Sequence, residues 1–296
     1  MARSKKKVKR KKGKGRKITF IIIPSILVLF LAVFLTLWKA PPEKKREGEI
    51  VRPPIPAEEK KEGKKEEKKE ETPHPPPPRL ALIIDDGGYN ITKFKGMLGM
   101  GKAMTFAILP NTPHAREVAL LAHRDGSEVM LHLPMEPQEE EFYSLEKDTV
   151  LTGMSHREIQ KILLNDLRQI PYVRGVNNHM GSKATEDPKV MRALMETLKK
   201  EKLYFIDSHT SSHSLGPEMA QRVGVASALN GRFIDREDDI DAIKEAIRLA
   251  MAKAKKEGKA VAIGHPHPLT ARAIRAMIPE IEREGIRLVF ASEVVG

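Results

Sequence analysis

From residue 80 onward the chain alternates short apolar runs of strand length with stretches of helical period, and five of the runs stop abruptly at polar side chains. Leu80-Ala81-Leu82-Ile83-Ile84 ends on Asp85-Asp86-Gly87-Gly88. Val129-Met130-Leu131 ends on His132, Val173 to Val176 on Asn177-Asn178-His179, Leu203 to Ile206 on Asp207, and Ala260 to Ile263 on Gly264-His265-Pro266-His267. Unbroken apolar runs read as strands covered on both faces, as in parallel sheets. Ligands of such sheets gather beyond the carboxyl ends of the strands, which is where these polar groups fall.

Between the runs lie helix signals. Ile91 to Met100 reads as a short helix, and Thr112-Pro113 as the cap and first residue of another. Ser155 and Glu158 form a capping box opening a helix to Gln169, and Asp187-Pro188 opens one with Val190, Leu194 and Leu198 on one face. Gly216 to Val223 is helical, Asp238 to Lys256 carries an inward stripe of Ile240, Ile243, Ile247 and Met251, and Thr270 caps a helix to Glu284. Further strands are expected at Ala103 to Leu109, Arg232 to Asp235 and Arg287 to Ala291. The pattern predicts an α/β domain over residues 80–296, a β/α barrel of about seven strands, with a flat doubly wound sheet as the alternative. An acidic loop running to about Met154 is long enough to serve as a lid or insertion.

The formal net charge of +12 suggests nucleic acid until the charges are located. Residues 1–17 hold eleven of the 52 Lys and Arg and no acid, and the remaining 41 face 40 Asp and Glu. The folded part is near neutral, so no nucleic-acid partner is expected. Ile18 to Trp38 is 21 residues without a charge, enough to span a bilayer as a signal anchor behind a basic cytoplasmic tail. A cleaved signal peptide is the rival, but the apolar stretch is long for one and no small-x-small site follows it. Residues 39–79, rich in Pro, Glu and Lys, read as an extended linker to a domain outside the cytoplasmic membrane. With no cysteine, disulfides and thiolate ligands are excluded.

Of ten histidines, five (His132, His179, His209, His265, His267) stand at predicted strand ends. Imidazoles with a carboxylate suit a divalent metal such as Zn²⁺, which acidifies bound water and polarises a carbonyl. Adjacent strand residues point to opposite sides, so Asp85 and Asp86 reach one pocket only if the backbone turns at the strand end. Taken singly, each group has an ordinary reading: Asp-Asp-Gly-Gly as a turn, His132 before Leu133-Pro134 as a structural histidine, His265-Pro266-His267-Pro268 as a rigid turn, Glu136 as a solvated acid. Their shared position at strand ends is what argues for a site.

In order along the chain, Ile84-Asp85-Asp86-Gly87-Gly88, His132-Leu133-Pro134-Met135-Glu136-Pro137, Gly175-Val176-Asn177-Asn178-His179-Met180-Gly181-Ser182, Phe205-Ile206-Asp207-Ser208 and Ala262 to Thr270 resemble the divergent polysaccharide deacetylase family. The resemblance runs from about Leu80 to the C-terminus. It implies a barrel related to the NodB-like deacetylases, which remove acetyl groups from N-acetylated sugars by metal-assisted hydrolysis. Carried over, it makes Asp85 the base, Asp86 and His132 metal ligands, and His265 or His267 the late catalytic acid. Glu136 stands where those enzymes place a second histidine, and Asn177-Asn178-His179 replaces their arginine-bearing motif. His179 is therefore the candidate third ligand, with Asn177, Asn178 and Asp207 as substrate-binding groups. The expected function is a membrane-anchored, metal-dependent deacetylase of cell-envelope polysaccharide; the alternative is a non-catalytic glycan-binding or envelope-assembly protein that keeps the barrel.

Overall fold

Each apolar run becomes a strand, and the alternation of its side chains sets which face meets the chemistry. In β1 (Arg79–Gly87), Leu80, Leu82 and Ile84 enter the large core shared with the helices, while Ala81 and Ile83 belong to a second, inner cluster. β2 (Thr105–Ile108) turns Phe106 and Ile108 outward and Ala107 inward; β3 (Glu128–Met135) turns Val129, Leu131 and Leu133 outward and Met130 inward. β4 (Val173–Met180) follows, and β5 (Tyr204–Asp207) sets Phe205 outward with Tyr204 and Ile206 inward. An apolar cluster on each face requires helices on one side and a sheet curled around the other.

The remaining strands are β6 (Ser227–Leu229), β7 (Arg232–Phe233), β8 (Lys259–Gly264) and β9 (Arg287–Val289). All pairings are parallel, in the order β6-β5-β4-β3-β2-β1-β8-β7, with β9 alongside the first residues of β1. Read around, this is chain order, as in a barrel; a doubly wound sheet reverses at a switch point, so that alternative is excluded. β6 and β7 are joined by Asn230-Gly231 but do not pair with each other, which leaves a seam. Among the described residues the architecture is thus a curled half-barrel of nine strands rather than the barrel of about seven that the pattern predicts. β6, three residues long, is too short to give a periodic signal.

The helices are α1 (Ile91–Lys95), α2 (Ala115–Arg124), α3 (His156–Gln169), α4 (Pro188–Glu201), α5 (Gly216–Val223), α6 (Ile240–Glu257) and α7 (Pro268–Arg283). The Ser155/Glu158 capping box is formed, and Asp187 accepts from the amides of Lys189 and Val190. Two expected caps act differently. Thr112 lies before the helix and donates to the Leu109 carbonyl (2.9 Å), and Thr270 lies inside α7 and donates to Asp235 (2.8 Å). The first helix stops at Lys95 rather than Met100, where Gly96 and then Gly99, at φ +68, release the chain.

This computed structural model describes residues 76–138 and 144–296. The basic tail 1–17, the apolar span 18–38, the linker as far as residue 75 and part of the acidic loop lie outside the described residues. Among the described residues no helix is long and apolar enough to cross a membrane. At the amino ends of the strands, Glu128 accepts hydrogen bonds from Tyr204 (2.7 Å), Thr105 (3.2 Å) and the Ser292 amide (3.1 Å). Ala291 and Val294 join the inner cluster there, so that end is floored and the opposite end forms the mouth.

One buried acid works against the fold. Asp166 on α3 is fully enclosed, and its Oδ2 has no hydrogen-bond partner among the described residues. Burial, then the charge of Asp148, pushes it up to about 7 against the hydrogen bond from Asn111. The folded chain keeps this proton after the unfolded chain has lost it at about 4, so stability falls as pH rises from about 4 to about 7 and stays lower above. Asp166→Asn is expected to raise the melting temperature at pH 8 by roughly 3–10 °C, a few kcal/mol, and to change it little at pH 4. Paired thermal melts check this; an equal shift at both pH values would refute the titration account.

Candidate active site

β1 delivers two carboxylates through one bend. Asp85 keeps the inward parity of Ala81 and Ile83 and is buried. Asp86 has the outward parity, but its φ is +54, and this left-handed turn swings its carboxylate into the same mouth. The turn continues through Gly88 at φ +122, where a Cβ would lie 2.1 Å from Thr112 Oγ1, so only glycine fits.

β3 and β4 supply the imidazoles as cross-strand neighbours, His132 opposite Asn177 and Pro134 opposite His179. His132 Nε2 lies 3.3 Å from Asp86 Oδ1, His179 Nδ1 lies 3.2 Å from that oxygen, and the two nitrogens are 3.1 Å apart. Three ligands about 2.0–2.2 Å from one ion stand about 3.0–3.5 Å apart, so these spacings fit a single divalent cation. Asp86 Oδ1 is buried and accepts no aligned hydrogen bond among the described residues, which leaves an anionic lone pair beside the two rings. Burial opposes the Asp86 charge, but the two imidazoles hold its carboxyl well below the usual range. The donor set, two imidazoles and a carboxylate, suits Zn²⁺ and its neighbours in the first transition row.

Asp85 stands beside this group, its Oδ2 3.6 Å from His132 Nε2 and its Oδ1 accepting from Asn177 Nδ2 (2.9 Å). Burial pushes Asp85 above the ordinary carboxylate range, with the His132 charge opposing and the Asp86 charge assisting. Across the mouth, β8 is followed at once by His265, whose Nδ1 meets Asp235 Oδ1 at 2.9 Å and whose Nε2 lies 3.9 Å from Asp86 Oδ2. Asp235 Oδ2 also accepts from the His265 amide (2.6 Å) and the Thr270 hydroxyl (2.8 Å), so carboxylate and ring are fixed together. Burial lowers the His265 basicity, but the Asp235 hydrogen bond and charge outweigh it and, with Asp85 and Asp86, raise it to about 9.

The mouth therefore gathers Asp85, Asp86, His132, Asn177, His179 and His265. It does not gather the other candidates. Asp207 has the outward parity of Phe205 and is bonded by Ser214 (2.5 Å) and the His209 amide (2.8 Å) under α5. Asn178 also faces outward, tying the Met180 carbonyl (2.7 Å) to the Ser208 amide (2.8 Å). His267 is exposed at the start of α7, its ring 6.0 Å from that of His265. Glu136 turns to Lys183 (2.5 Å) and the Thr152 amide, so it braces the loop after β3, and the imidazole beside His132 is that of His179. Asp235 was not singled out by its chemistry, yet Phe233-Ile234-Asp235 repeats the apolar-to-carboxylate ending of the other strands.

Comparison with known proteins agrees with this geometry. Residues 82–295 match the divergent polysaccharide deacetylase family. The Escherichia coli (strain K12) protein YibQ is 38% identical over 214 residues, 72% of this chain and 66% of that one, so this chain spans just under two thirds of it. A Haemophilus influenzae protein is 32% identical over 208 residues, 70% of this chain and 73% of its own length. Among solved structures, protein ATU2773 of Agrobacterium tumefaciens C58 superposes with a TM-score of 0.70 at 21% identity, covering 74% of this chain and 89% of that one, and so shares the fold. With the motif order, the half-barrel and the matched span in agreement, this chain belongs to the divergent polysaccharide deacetylase family.

Proposed function

We propose that this protein is a metal-dependent hydrolase that removes acetyl groups from an N-acetylated cell-envelope polysaccharide. The observation that carries the reading is the convergence of Asp86 Oδ1, His132 Nε2 and His179 Nδ1, three lone-pair donors facing one point. A divalent ion held by them supplies Lewis acidity toward water and the acyl oxygen. Asp85 takes a proton from the attacking water as that oxygen bonds to the acyl carbon. As the carbon–nitrogen bond breaks, His265 Nε2 gives its proton to the departing amine, leaving a free amino sugar and acetate. Asp235 holds His265 with Nε2 toward the mouth and stabilises the protonated ring.

The test is acetate release from chitin oligomers and from peptidoglycan by the purified chain, with and without chelator, beside elemental analysis. Stoichiometric zinc or a neighbouring divalent metal with chelator-sensitive acetate release is expected. A chain that recruits no metal, or that binds glycan and releases no acetate, overturns the hydrolase reading in favour of a glycan-binding barrel.

A further inference from the structure

The amide of Asn177 is fully buried between the two halves of the reacting group. Its Oδ1 lies 2.8 Å from His132 Nδ1, and its Nδ2 lies 2.9 Å from Asp85 Oδ1 and 3.3 Å from Ser208 Oγ. An amide has one accepting end and one donating end, so the two contacts are not independent. A carboxylate only accepts, hence Asp85 takes the NH₂ end and the carbonyl end faces His132. His132 must then carry its proton on Nδ1, which leaves the Nε2 lone pair toward Asp86 and His179. The same amide occupies Asp85 Oδ1 and leaves Oδ2 as the oxygen nearer the mouth.

The geometry points to Asn177 as a positioning residue that sets two things with one side chain, the ligating nitrogen of His132 and the working oxygen of the base Asp85, rather than as a group that touches substrate. This rests on the hydrolase reading above for the role of Asp85, but the His132 half stands on metal binding alone. Asn177 sits opposite His132 in the β3–β4 register, and Gly175, two residues back on the same face, leaves room for the Tyr204 ring, where a Cβ would come within 2.3 Å. The strand is thus built to bring an amide to this level of the barrel.

Two substitutions in the full chain separate the two halves. Asn177→Leu removes both contacts and is expected to weaken zinc affinity about 10–100-fold, measured by chelator competition, and to lower kcat at saturating zinc by a similar factor. Asn177→Asp keeps an acceptor for His132 Nδ1–H but sets a carboxylate against Asp85, so zinc affinity should stay near wild type while kcat falls as in the leucine variant. A merely structural role would move both quantities together in both variants. Nitrogen-15 spectra of the zinc-loaded wild type need no variant to fold and should show His132 protonated on Nδ1. Ligation through Nδ1, retention of both zinc affinity and kcat in Asn177→Leu, or loss of zinc in Asn177→Asp equal to that in Asn177→Leu overturns the proposal. If the wild type binds zinc but releases no acetate, the hydrolase reading fails while the zinc and nitrogen-15 results still decide the His132 half.

Discussion

Asp86→Ala and His132→Ala are each expected to abolish stoichiometric metal and all measurable acetate release, whereas Asp85→Asn keeps the metal and loses about 10²–10⁴ in kcat. The contrast follows from position. Asp86 Oδ1 and His132 Nε2 are two of three converging donors, and removing one of three protein ligands leaves the others solvated in a buried mouth. Asp85 stands beside that group, bonded to Asn177, so its amide variant can retain the Asn177 contact by rotating while losing its capacity to take a proton. Elemental analysis of wild type and three variants, with kcat on one oligomer, reads both effects. Metal lost from Asp85→Asn to the same degree as from Asp86→Ala would show that the two carboxylates share the ion and that the base lies elsewhere.

The second large effect belongs to the proposed acid. His265→Ala is expected to lower kcat on an N-acetyl substrate by about 10²–10⁴ and to spare an aryl acetate, whose phenolate departs without a proton. Asp235→Asn should follow the same substrate pattern at about 10²-fold, because the amide no longer fixes the ring with Nδ1 protonated. The amide-to-ester ratio is the decisive measurement. Equal losses on both substrates would mean that His265 supports the fold or the attacking water rather than the leaving group.

The site was legible in the chain to the extent that it obeys strand parity. Asp85, His132 and Asn177 continue the inward rows that begin with Ala81 and Ile83, with Met130, and with Gly175, so a run of apolar residues and a count of two locate them. The same count places Asp207 and Asn178 outside the mouth, since each follows the outward residue of its strand, Phe205 and Val176. A polar group after an apolar run marked the level of the site but neither the strand end, since β3 and β4 run on to Met135 and Met180, nor the direction of the side chain. Asp86 is the exception, and its entry depends on a positive φ that only the folded turn displays. Asp235 ends a segment that reads as a strand, and it goes unselected because its partner His265 lies thirty positions along and nothing local joins the two. The seam between β6 and β7 is a property of pairing and has no local signature at all.

That seam gives the two halves of the chemistry supports of unequal stiffness. The proposed metal ligands and base stand on β1, β3 and β4, and the β3–β4 ladder runs unbroken from Met130 to Met135, with strands on both outer sides. Asp235 follows a two-residue edge strand that, among the described residues, pairs in the sheet only with β8, through Arg232 opposite Ala262 and Phe233 opposite Ile263. Local opening is least costly where few backbone hydrogen bonds must break, and fraying of β7 breaks few. Such an excursion unhooks the carboxylate from His265 and leaves Asp86, His132 and His179 in place. If the proposed chemistry holds, proton delivery is lost before the grip on the ion as the fold loosens, and an inactive chain would still be a fully loaded one.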